Sequence, residues 1–95
     1  MGQSPRPRPQ RLAAKLRQLR SLLGMTQEQM AEAVRYIASP PQPGHISEFE
    51  RGKREPSLLF LLAVARLANI PMESLIDDEI DLPGKLPIKS KRGKR

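Results

Sequence analysis

The side chains in this sequence that could act on another molecule gather in one stretch. Gln42, His45, Ser47 and Glu48 lie within seven positions, and Lys53 and Arg54 follow closely. An amide, an imidazole, a hydroxyl and a carboxylate at that density supply donors and acceptors, but they do not assemble a reaction. There is no cysteine nucleophile and His45 is the only histidine. No glycine-rich loop cradles a phosphate, and no pair of carboxylates sits in an apolar setting, so no catalytic site is expected. A multi-histidine metal site is excluded too. The acidic run of Asp77, Asp78, Glu79 and Asp81 lacks the glycine and spacing of a calcium loop, which makes it a solvated or tail-pairing segment. No metal and no cofactor are expected. Recognition is what remains: glutamine can pair with adenine, glutamate can accept from cytosine N4, and lysine and arginine can meet phosphates.

The elements that must hold these groups follow from local signals. Thr26 is followed three residues on by Gln29, the reciprocal capping signature of a helix start. Met30, Ala31, Val34 and Ile37 then share one helical face. Pro40, Pro41 and Pro43 cannot all sit inside a helix, so this helix stops by about Ser39. Proline suits a first helical position, so the next helix is expected over 43–51, with Gln42 as its cap, Ile46 and Phe49 buried, and Gly52 as a left-handed stop. Before this pair, Leu12, Leu16, Leu19, Leu22 and Leu23 mark an amphipathic helix ending at Gly24, with Lys15 and Arg17 on its basic face. After it, Ser57 caps a strongly apolar helix from 58 to 67 or 68, and 72–76 forms a short last helix. The fold class expected is all-α, with five helices and no strand.

With those residues in view, the chain resembles the phage-repressor (Cro/CI-like, XRE) helix-turn-helix family. The resemblance rests on Arg20, Gly24, the pair Thr26 and Gln27, Ala31, Ile46, the run Glu50, Arg51, Gly52, Lys53, and Pro56 with Ser57, and it covers about residues 12–76. It implies a DNA-reading helix near 43–51, with Gln27 meeting the phosphate backbone at the start of its helix and Lys53 and Arg54 meeting it after the reading helix. It also implies an ion pair between Arg20 and Glu50. Two features depart from the family's pattern. The stretch from Val34 to Ile46 is several residues longer than the usual tight turn, so that 36–42 either extends the second helix or protrudes as a proline-stiffened loop. The first two positions of the reading helix are Pro43 and Gly44, which carry no side-chain donor, and base contact falls to Gln42, His45, Ser47 and Glu48. Glu48 either reads cytosine or pairs with Arg51 one turn on. Charging His45 below about pH 6.5 is expected to strengthen attraction to phosphate. The expected DNA-binding set is Thr26, Gln27, Gln42, Gly44, His45, Ser47, Glu48, Lys53 and Arg54.

Composition bounds the rest. A chain of 95 residues holds one small domain, and with no Trp, one Tyr and two Phe its core must be aliphatic. The absence of cysteine suits a reducing compartment. The longest apolar run, over 58–65, is far below the roughly 20 residues of a membrane span, and the start of the sequence has no signal-peptide core, so a cytoplasmic protein without membrane contact is expected. The net charge of +7 divides as +3 over 1–11, +2 over 12–76, −4 over 77–84 and +6 over 85–95. The division expected is a disordered basic arm at 1–10, the helix-turn-helix domain at 11–77, and an acidic segment with a basic tail at 78–95. Those tails either solubilise or seek phosphates through counterion release.

The function expected is therefore a non-enzymatic, sequence-specific transcriptional regulator of the repressor type. It would bind double-stranded DNA as a homodimer, meeting its second copy through the last helices around Leu67 to Ile76. Two alternatives stay open. One is a protein-interaction module, such as the antitoxin of a toxin pair, that docks a protein partner through the proline loop or the apolar fourth helix. The other is a nonspecific nucleic-acid binder driven by its tails.

Overall fold

A computed structural model describes residues 9–86. The expected basic arm, with Arg6 and Arg8, and the cationic end of the tail lie outside the described residues. Within them the chain forms five helices: α1 Leu12–Leu23, α2 Gln27–Ala33, α3 Pro43–Glu50, α4 Leu58–Ala68 and α5 Glu73–Ile76. No strand occurs among the described residues.

Several helix limits fall where backbone chemistry favours them. Thr26 Oγ1 accepts from the Gln29 N–H at 3.0 Å while Gln29 Oε1 accepts from the Thr26 N–H at 2.9 Å, so the box at the start of α2 is closed both ways. Ser57 Oγ accepts from the Phe60 N–H at 3.1 Å and starts α4. Gly24 ends α1 at φ 70° and Asn69 ends α4 at φ 59°, both in the left-handed region that releases a helix C-terminus.

The core is a single aliphatic cluster closed by two aromatic rings. Leu16, Leu19, Met30, Val34, Ile46, Val64 and Leu75 are buried in it, and Phe49 meets Phe60 with ring centroids 5.0 Å apart, tilted by 50°. Packing of α3 against both α1 and α2 fixes the reading helix on two sides. The stretch between α2 and α3 extends no helix: α2 ends at Ala33, the chain makes turns through Ile37, and Tyr36 stands out 73% exposed. Of the two expected forms, the protruding loop is the one adopted. Ile37 anchors its near side on the core.

Two expectations need correction. Lys15 is not on a solvated basic face: it is only 1% exposed. Its Nζ donates to the carbonyls of Ser74 at 2.9 Å, Asp77 at 2.7 Å and Ile80 at 2.6 Å. Residues 12, 15, 16 and 19 share one helical face, so Lys15 points into the molecule. The end of α5 offers carbonyls without helical partners, and an ammonium there satisfies them and suits the dipole. The second concerns where the folded unit ends, since Asp78 and Leu82 join the acidic segment to the domain while Asp77, Glu79 and Asp81 stay exposed. Asp78 accepts from the backbone N–H groups of Gln10 at 2.8 Å and Arg11 at 3.0 Å, and Arg11 pairs with Asp81 at 2.6 Å. Leu82 is buried in the core and Leu86 packs against that core, so the folded unit runs past residue 77.

Candidate nucleic-acid interface

The helix pair is held by one carboxylate. Glu50, the last residue of α3, is 4% exposed at its side chain and receives a two-pronged bond from Arg20, Nε to Oε2 at 2.7 Å and Nη2 to Oε1 at 2.9 Å. The remaining Nη1 of Arg20 donates to the Met25 carbonyl at 2.9 Å, just before α2 begins. The Arg20 pKa is raised, chiefly by the hydrogen bond to Glu50, which outweighs the opposing effect of burial, with a smaller raise from the Glu50 charge. Gln27 Nε2 donates to the same Oε1 at 3.2 Å. One buried group thus ties the end of α1, the start of α2 and the end of α3, and it sets how α3 is presented relative to the α2 N-terminus.

This places Gln27 more definitely than its sequence position does. Its side-chain amide is half buried at the first helical position of α2, with one N–H committed to Glu50 and a second N–H left to donate. Thr26 is exposed beside it, its hydroxyl oxygen engaged in capping.

On α3, Pro43 occupies the first position and Gln42 precedes it in extended geometry. His45 Nδ1 accepts from the Gln42 N–H at 3.2 Å, so the imidazole takes the part that glutamate or glutamine usually plays in a capping box. A nitrogen that accepts carries no proton, which leaves the neutral ring's proton on Nε2 as a donor. Gly44 is exposed and has open space where a Cβ would stand, so backbone can approach closely there. Ser47 and Glu48 are half buried one turn further along.

The end of α3 reverses the chain. The Gly52 N–H reaches the Phe49 carbonyl at 3.2 Å and the Lys53 N–H reaches the Glu48 carbonyl at 2.8 Å, with Gly52 at φ 73°. That left-handed residue folds Lys53 and Arg54 back toward α3. Arg54 Nε then donates to Glu48 Oε1 at 2.6 Å. Neither expected role of Glu48 describes this bond: its partner is Arg54, while Arg51 Nε lies 3.4 Å from the Ser47 carbonyl. Glu48's carboxyl is held below the usual glutamate range, chiefly by the Arg54 hydrogen bond, which outweighs the opposing effect of desolvation, with smaller contributions from the charges of Arg54 and Arg51. Helical spacing carries no signal for a partner six residues on, across a helix end; Gly52 followed by two cations is the pattern that could have revealed it.

The structure therefore gathers Gln42, Gly44, His45, Ser47, Glu48, Lys53 and Arg54 on α3 and the loop after it, and joins Gln27 to that group through Glu50. A cleft of about 270 Å³ beside this loop, lined by Pro9, Gln10, Ala13 and residues 52–56, marks where the chain enters α1. Among the described residues no group of histidine, cysteine, aspartate or glutamate is arranged to hold a metal ion.

Comparison with known proteins follows from this geometry. A family model described as helix-turn-helix matches residues 16–75. Among solved structures, the Clp gene regulator ClgR of Corynebacterium glutamicum superposes with a TM-score of 0.60 at 33% identity, covering 75% of this chain and 71% of that one. The P22 c2 repressor, solved in complex with a synthetic operator, superposes with a TM-score of 0.60 at 22% identity, covering 70% of this chain and 94% of that one. No curated protein matches the sequence.

Proposed function

We propose, because this chain belongs to the helix-turn-helix family of the phage-repressor (Cro/CI-like, XRE) type, that it is a transcriptional regulator that reads double-stranded DNA through α3 and performs no catalysis. The observation that carries this reading is the Arg20, Glu50 and Gln27 network, which makes α2 and α3 one rigid unit and leaves the polar residues of α3 outward. The likeness in fold to a repressor solved on an operator points to operator-type DNA as the partner. In this reading Gln27, Lys53 and Arg54 donate to phosphates and set register, while Gln42, His45, Ser47 and Glu48 lie over base edges. Gly44 lets the backbone approach, and Thr26 holds the helix start whose dipole favours a phosphate.

The regulator acts as a homodimer on two half-sites about one helical turn apart, and represses by occupying them. Ile76, at the end of α5, and Ile80 beyond it are large apolar residues on the surface, which supports a self-contact near the last helices. A second reading, docking of a protein partner, is favoured by one observation. A mainly apolar groove of about 210 Å³ lies between Tyr36, Ile37 and Ala38 and the α4 residues Leu59, Leu62 and Ala63. Deleting residues 85–95 separates specific from tail-driven binding. The shortened regulator should keep its preference for a selected site over a scrambled one, with all affinities reduced. A tail-driven binder would lose most of its affinity and have no preference to keep.

A further inference from the structure

Glu48 and Arg54 meet at 2.6 Å on the outer side of the reading helix, with side chains 37% and 52% exposed. The bond uses only the Nε edge of the guanidinium. Among the described residues nothing engages its two terminal amino groups, so the end of Arg54 presents a parallel pair of N–H donors held in one orientation. The carboxylate cancels the arginine's charge. A pair of no net charge releases few counterions and makes a poor phosphate anchor, and a carboxylate beside the backbone is repelled by it. What the pair retains is directional donation. In the major groove, the acceptor pair that fits a planar arginine fork is guanine O6 with N7.

We infer that Arg54 is a specificity-determining residue that reads a guanine, and that Glu48 is its positioning residue, holding the fork in place. The inference rests on the DNA-reading function proposed above and reassigns two of its contacts: Glu48 no longer reads cytosine, and Arg54 no longer serves the backbone. Phosphate contact after α3 is left to Lys53.

Selection from a pool of random duplexes, performed with the full chain and with Arg54→Lys, Arg54→Ala and Glu48→Ala, tests this. Both side chains lie on the surface, and thermal unfolding of each variant confirms that it folds. The full chain should enrich a site with a G·C pair in each half. Arg54→Lys keeps the charge but not the fork, and should bind with that base preference reduced roughly tenfold to a hundredfold. Arg54→Ala should abolish the preference, and Glu48→Ala should weaken it while leaving overall affinity at least as high. Replacing the guanine by 7-deazaguanine should weaken the full chain and leave Arg54→Ala unaffected. If Arg54→Lys instead binds with every base preference intact, Arg54 is a phosphate contact and the inference falls. It falls equally if 7-deazaguanine is tolerated and only Glu48→Ala loses the G·C pair, since Glu48 then reads cytosine N4 directly. A pool that yields no motif while the protein still binds DNA overturns the proposed site-specific function itself, and this inference with it.

Discussion

Glu50 receives three hydrogen bonds, from two nitrogens of Arg20 and one of Gln27, and each comes from a different part of the site's frame than its own helix. Replacing Arg20 by Met would leave that carboxylate buried with only an amide for company. Removing one partner of such a pair costs more than the pair contributes, and urea unfolding should show a loss of about 3 kcal/mol. Lys15, on the same helix as Arg20, is a comparable buried cation. Lys15→Met keeps most of the stem but leaves three carbonyls without their donor, and a loss of about 2 to 3 kcal/mol is expected by the same measurement. The two residues differ in how far sequence could reveal them. Arg20 and Glu50 stand at positions that the family resemblance pairs, so their bond was expected. Lys15 reads in the sequence as part of a basic face with Arg17, because its acceptors are backbone atoms, which no residue pattern displays.

Of the two helices that carry the site, α2 is the shorter. It spans seven residues and is set by its capping box and by the burial of Met30. Thr26→Ala removes the side-chain acceptor for the Gln29 N–H and should lower stability by about 1 kcal/mol in chemical denaturation. Because Gln27 sits in that first turn, the same change should weaken DNA binding, though no base preference should change. Helix limits were legible wherever a backbone constraint is written into residue type: Gly24 closes α1, Pro43 opens α3, Ser57 opens α4. The sequence leaves the stretch from 34 to 42 open, since Pro40, Pro41 and Pro43 say where a helix cannot be without saying which way the chain turns. The reversal at Gly52 was expected as a helix stop. Its further effect, bringing Arg54 back onto Glu48, needed the loop's path in space.

In the whole molecule, the segment after α5 closes the structure onto its own beginning. Asp78 takes the backbone N–H groups of Gln10 and Arg11, and those bonds hold its carboxyl below the usual aspartate range. A carboxyl whose folded value is depressed stabilises fully above the ordinary aspartate value, and that contribution is lost as pH falls through the lower folded value. Asp78→Asn should therefore unfold at lower urea than the parent at neutral pH, with the two midpoints converging as the pH falls from about 4 downward. The boundary expected at residue 77 passed over this closure because acidic residues before a basic tail read as solvated. Held this way, the unit presents α3 and the start of α2 as one surface, which is expected to distinguish DNA sequences. The most direct test is fluorescence anisotropy of the full chain on a selected duplex and on its scrambled counterpart across a salt series. Both affinities should fall with salt while the selected site keeps its advantage, because base contacts do not depend on counterion release. Equal affinities for the two duplexes, collapsing together as salt rises, would contradict this expectation.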